Sequence, residues 1–268
     1  MPRPLILAIA LVLVSPLTAN AHKMWLLPSD TVLSGSEPLI TVDGAISNDL
    51  FYFNHHALPL DTLVITAPDG SQVEGESKAM LKYRSVFDVP LRQKGTYKIA
   101  VPRSGVFASW EADGKPQRWR GAAKDVAAKI PANAEKVEVS ETVGRIETFV
   151  TNGAPSDRAL QTTGKGIELI PLTHPNDLYV GSKGRFRLLV DGKPTGELKI
   201  EMVRGGTRYR DSQDEIHATT DTNGEFEVEF KEPGMYWMET STSDAKTTVS
   251  QAKTRYLSYT ATFEVLPK

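Results

Sequence analysis

The chain contains no cysteine. Disulfides and thiolate metal sites are therefore excluded, and a metal would find only imidazoles, carboxylates, methionine or backbone atoms. It also lacks a dominant charge: 31 basic against 33 acidic side chains leave a net charge of −2 with the five histidines neutral. A balance so even offers no long-range field to nucleic acid or to an anionic membrane surface. Long apolar runs are scarce too. The only one, Leu5 to Val14, falls short of the roughly 20 residues that a spanning helix needs, so no stable membrane insertion is expected after processing. No Gly-x-Ser-x-Gly elbow is present, Gly164-Lys165 has no phosphate loop upstream, and no acid, base and nucleophile group together. The sequence is accordingly expected to encode a binder and not an enzyme.

The apolar run belongs to an export signal. Arg3 supplies the positive start, Pro16 closes the apolar stretch, and Ala19-Asn20-Ala21 places small residues at −3 and −1 of a cleavage site. Residues 1–21 are read as a signal peptide, the protein as periplasmic, and His22 as its mature first residue. An N-terminal histidine offers its α-amine and its own Nδ1 to one metal ion, and a further imidazole would complete a three-nitrogen site. Phe51-Tyr52-Phe53-Asn54-His55-His56 provides the candidates. Neighbours on a strand point to opposite faces, so one of the pair is expected to join His22 unless the strand ends there, which Pro59 favours. The predicted metal ligands are His22, His55 and His56. His174, between two prolines, reads as a turn or packing residue, and His217 as an exposed strand residue. Met24 reads as first-strand core in preference to a soft ligand.

Short runs rich in β-branched and aromatic residues fill the rest. Leu39-Ile40-Thr41-Val42, Leu63-Val64-Ile65 and Val86-Phe87-Asp88-Val89 alternate with turn signals such as Pro68-Asp69-Gly70. The pattern returns after Gly166, with Asn223-Gly224 as a strong hairpin signal. Phe87-x-Val89 followed by Gly95-x-Tyr97 recurs as Phe226-x-Val228 followed by Gly234-x-Tyr236, which reads as domain duplication. The expected fold is all-β: two tandem immunoglobulin-like β-sandwich domains joined by a segment with one short helix. The boundaries are 22–150 for the N-terminal sandwich with a helical insertion over Arg118–Ile130, 151–165 for a linker, and 166–268 for the C-terminal sandwich.

Several stretches resemble a known family: Ala21-His22-Lys23-Met24-Trp25-Leu26-Leu27-Pro28, Lys165-Gly166-Ile167-Glu168-Leu169-Ile170-Pro171-Leu172-Thr173-His174-Pro175, Asp191-Gly192-Lys193-Pro194, and Thr220-Asp221-Thr222-Asn223-Gly224 with Pro233-Gly234-Met235-Tyr236-Trp237. The family is a bacterial periplasmic one of formally unknown function, described as a periplasmic component of nickel or cobalt uptake systems. The resemblance covers nearly the whole mature chain. It implies a two-domain β protein that binds a divalent transition metal, nickel or cobalt in preference to copper, beginning at the His-x-x-Trp start His22, and serving a membrane metal transporter. His55 and His56 rest on ligand chemistry alone. The reading from another class is a non-catalytic envelope module that binds protein or glycan through Trp110, Trp119 and Tyr209. A copper-dependent oxidative enzyme that uses the same N-terminal chelate ranks below both.

Overall fold

A computed structural model describes residues 22–268. The leader and its cleavage site lie outside the described residues. In chain order the strands are β1 (Lys23–Pro28), β2 (Val32–Leu33), β3 (Leu39–Ser47), β4 (His56–Ala57), β5 (Val64–Thr66), β6 (Gln72–Val73), β7 (Glu76–Met80), β8 (Ser85–Pro90), β9 (Gly95–Ala112), β10 (Lys115–Gly121) and β11 (Glu135–Asn152). They continue with β12 (Ile167–Pro171), β13 (Lys183–Val190), β14 (Lys193–Pro194), β15 (Lys199–Arg204), β16 (Ile216–Thr219), β17 (Glu225–Glu229), β18 (Gly234–Asp244) and β19 (Thr254–Val265). The protein is all-β, as its alternating runs predict, and it is built as β-sandwiches.

The two sandwiches share a layer. A ten-stranded sheet runs β16-β15-β18-β19-β11-β9-β5-β6, with β10 on β9 and β2 on β11. Its continuity depends on the parallel pairing of β11 with β19, from Ser140 opposite Thr254 to Thr148 opposite Thr262. The sheet of β1, β3, β8, β7 and β4 covers one face, and Leu26, Val42, Phe87 and Val89 meet Ile99, Val101, Ile146 and Val150 there. The sheet of β12, β13, β14 and β17 covers the other face, where Phe186, Leu188 and Phe226 meet Phe149, Met238, Tyr259 and Phe263. Successive side chains of a strand point to opposite faces. Ile146 and Val150 of β11 therefore enter one core while Phe149 enters the other. Burial on both faces makes Ile146–Asn152 an unbroken buried run.

The repeated Gly-x-Tyr marks equivalent corners. Tyr97 Oη accepts the Gln93 N–H at 2.7 Å, and Tyr236 Oη donates to the Glu232 carbonyl at 2.8 Å, so each ring reaches back four residues. Both tyrosines are buried and burial holds both phenols above their usual range. Gly95, at φ +121°, leaves no room for a side chain, because a Cβ there would lie 2.5 Å from Ser156 Oγ.

The insertion differs from the expected helix over Arg118–Ile130. Residues up to Gly121 form β10, paired in register with β9 from Ala112 to Val106, and helical turns are confined to Ala123–Asp125 and Val126–Lys129. Asp113-Gly114, both left-handed at φ +51° and +70°, closes this hairpin with a two-residue turn. The segment 151–165 begins inside β11, and its Ala159 and Leu160 are buried. Glu168 binds it down, accepting from the N–H groups of Thr163 and Gly164 at 2.7 Å each.

Candidate metal site

Strand β3 brings the predicted ligands together. On one edge β1 pairs Lys23 with Ser47, and on the other β4 pairs His56 with Ile46. His22, one residue before β1, and His55, one residue before β4, therefore both fall at the Ser47 end of β3. Their rings stack with centroids 3.9 Å apart and planes 6° from parallel. The His55 and His56 rings lie 4.1 Å apart at 52°. His22 and His56 are exposed and His55 is half-buried. Desolvation, and then the neighbouring charges of His22 and His56, hold the His55 imidazole below the usual histidine range. A neutral imidazole is the form that ligates a metal.

The rings meet face to face, so their in-plane lone pairs do not yet converge. Among the described residues no three His, Asp or Glu side chains are already arranged around one metal position. Rotation of exposed His22 about its side-chain bonds would turn a nitrogen toward His55. The donor set suits nickel, copper or cobalt, since imidazole and amine nitrogens are ligands of intermediate softness.

The loop before His55 is held firmly. Asn54 Oδ1 accepts from the Ser47 hydroxyl and from the Asn48 N–H at 3.1 Å, while Asn54 Nδ2 donates to Asp49 at 2.7 Å. Leu50 is fully buried, and Phe51 takes a left-handed backbone at φ +60° with its ring edge-on to Trp25, centroids 5.6 Å apart. Phe51 lies on Gly205, where an added Cβ would come within 2.9 Å of the ring. Arg208 covers the Tyr52 ring at 4.7 Å, Arg84 covers Phe53 at 4.8 Å, and Trp237 Nε1 donates to the Met24 carbonyl at 2.9 Å. The C-terminal sandwich thus supplies part of the support. Nothing in the spacing of Gly205-Gly206 and Arg208 along the sequence links them to Phe51. Beside the histidines, Lys23, Asp49, Glu201, Arg208, Arg210 and Glu239 border a polar cleft of about 680 Å³. Lys23 Nζ bonds Glu201 at 3.0 Å, and burial pushes the Glu239 carboxyl up.

The other histidines are placed elsewhere. His174 bridges the sandwiches: the Asn176 N–H donates to its Nδ1 at 3.1 Å, so the proton sits on Nε2, which faces Thr96 Oγ1 at 2.9 Å. His217 is exposed on β16, opposite Glu201. Met24 turns its sulfur to the Arg103 guanidinium. Trp110 and Trp119 pack on a small cluster of Val106, Ala108, Val126 and Val139, and Tyr209 is 87 % exposed.

The fold and this histidine group define a two-sandwich β protein with a cluster of imidazoles at one end of its first strand. The chain belongs to the family Domain of unknown function (DUF4198), which matches residues 19–244. No functionally curated protein matches it. Among solved structures it is similar to the D0-D1 domain of intimin at 10 % identity over 89 % of this chain and 96 % of that one, with a TM-score of 0.22. It is also similar to Escherichia coli α-2-macroglobulin activated by porcine elastase (10 % identity, 90 % of this chain, 31 % of that one, TM-score 0.20). A marsupial T cell receptor shows 9 % identity over 92 % of this chain and 74 % of that one, with a TM-score of 0.20. Among the described residues no helix is long and apolar enough to cross a membrane.

Proposed function

We propose that the protein is a non-catalytic periplasmic binder of a divalent transition metal, nickel or cobalt and secondarily copper, that supplies a membrane uptake system. The observation that carries this reading is the meeting of His22 and His55 from opposite edges of β3. After cleavage at Ala21, the α-amine and Nδ1 of His22 would chelate the ion and His55 would add the third nitrogen, with His56 beside it. The metal is cargo, so an open position at the protein surface suits both capture and release. The periplasmic location follows from the leader, and the nickel or cobalt preference from the family resemblance. The affinity order alone would favour copper, so metal supply and site geometry must decide between them.

Intact mass of the exported protein, recorded native and denatured after equimolar nickel or copper, tests the reading beside a variant with one Ala inserted before His22. A chain that starts at His22 and keeps one metal, which the insertion abolishes, supports it. A different start, or retention by the insertion variant, overturns it and favours the envelope interaction module, whose remaining exposed aromatic is Tyr209.

A further inference from the structure

Beside Met24 the ten-stranded sheet leaves part of a face open, and two arginines border it. Arg103 stands on β9 opposite Gly144 of β11, and Gly144 in turn stands opposite Ser258 of β19. Two residues along β9, Gly105 stands opposite Thr142, and after two more Phe107 stands opposite Arg120 of β10. Residues paired across strands share a face, so Arg103, Gly105, Gly144, Thr142, Ser258 and Arg120 all belong to one side. The two glycines keep its floor at backbone level. A Cβ on Gly144 would meet Ser258 Oγ at 2.9 Å, and one on Gly105 would meet the Gly121 carbonyl at 3.1 Å and Thr142 Oγ1 at 3.6 Å.

Carboxylates also stand on this face, at Glu111, which is paired with Lys136, and at Glu138, yet the two arginines are not paired with them. Among the described residues neither Arg103 nor Arg120 lies within ion-pair distance of a carboxylate, although eleven other arginines and lysines are paired. Glu138 stands level with Arg118, both opposite Ser109, one step beyond Arg120. The one polar contact of Arg103 Nη1 is the Met24 sulfur, which carries no charge to answer it. Burial, followed by the charge of Arg120, holds the Arg103 guanidinium below its usual range. A largely buried cation without a counter-charge is costly, and a guanidinium presents a planar fork of donors that fits two oxygens of one oxyanion.

We propose that Arg103 and Arg120, over the floor of Gly105 and Gly144 with the hydroxyls of Thr142 and Ser258, form a binding site for a small oxyanion, a carboxylate or a phosphate. The site adjoins the histidines through Met24, which is paired with Ile46 as His56 is. Its existence does not depend on metal binding.

The test uses metal-free protein at low ionic strength, titrated calorimetrically with inorganic phosphate and, separately, with citrate. Wild-type protein should bind at least one of them and gain thermal stability from it. Arg103→Gln and Arg120→Gln should each weaken that binding at least tenfold. Without ligand, Arg103→Gln should melt no lower than wild type, because it removes an unanswered buried charge. Binding of citrate alone assigns the site to carboxylates, and binding of phosphate alone to phosphoryl groups. Absence of binding by both probes, or unchanged affinity in exposed Arg120→Gln, overturns the proposal, as does Arg103→Gln that melts well below wild type with no anion effect. A failure of the metal reading would show in the His22 insertion and leave these titrations untouched.

Discussion

His174 and His55 are both half-buried imidazoles in loops that join strands, yet their surroundings give them opposite characters. The His174 ring is fully engaged. Its Nε2–H faces Thr96 Oγ1, the Thr96 and Thr151 hydroxyls lie 2.9 Å apart, Thr151 donates to Asn176 Oδ1 at 2.9 Å, and Asn176 N–H returns to His174 Nδ1. This closed circuit joins β9 and β11 of the shared sheet to the loop entering the C-terminal sandwich. His55 has no such circuit. Its neighbours are two other imidazoles, stacked and tilted against it, and its nitrogens remain available. Having every lone pair used makes a latch, and leaving them unused makes a ligand.

Substitutions should accordingly separate binding from stability. The largest effect is expected from His55→Ala, which should weaken nickel affinity at least about a hundredfold through loss of a ligand nitrogen, while the melting temperature stays within a few degrees. Calorimetric titration and a thermal melt decide it, and unchanged affinity removes His55 from the site. Gly205→Val comes next and should act on both properties. Its side chain would displace Phe51, overpacking that typically costs about 1–3 kcal/mol, and the shifted loop should loosen His55 and weaken metal binding about tenfold. If Gly205→Val lowers stability without touching affinity, the C-terminal sandwich does not position the histidines.

The legible part of this molecule was its local chemistry. Alternating runs gave the strands, and the repeated Gly-x-Tyr placed Tyr97 and Tyr236 at matching positions, each bonded to the backbone four residues earlier. The helix expected over Arg118–Ile130 starts too early, because the Asp113-Gly114 turn, a strong hairpin signal, carries the chain first into β10. The shared sheet is a different matter. Nothing local announces that β11 pairs in parallel with β19, more than a hundred residues away. The only trace is that Ile146–Asn152 lacks the alternation of a half-exposed strand. At the site, residue chemistry named His22, His55 and His56, whereas their support by Gly205, Arg208 and Trp237 arises from packing between sandwiches, which single-residue patterns do not encode.

The remaining effects are smaller and belong to the latch. His174→Ala should lower unfolding free energy by about 1–3 kcal/mol, the cost of leaving buried Asn176 N–H and Thr96 without their partner, and should leave nickel affinity as it was. Urea unfolding beside the same calorimetric titration reads both numbers. Loss of metal binding in this variant would mean that the two histidine groups are coupled through the shared sheet.

The smallest effect is a pH dependence. Burial holds the His174 imidazole below the usual range, against the weaker opposing influences of Ser156, Asp157 and Asp177. The folded protein therefore binds fewer protons at this site than the unfolded chain in the interval between the two pKa values. The stability it contributes is complete above the unfolded value of about 6.5, and it is lost as pH falls from there through the lower folded value. The chemistry agrees, since protonation would place an N–H on Nδ1 against the Asn176 N–H. Urea midpoints at pH 5 and pH 7.5 should differ more in wild type than in His174→Gln, measured metal-free so that the His22 group contributes equally to both. Equal slopes would show that His174 is as ready to take a proton in the folded state as in the unfolded one, and that the circuit around it is no latch.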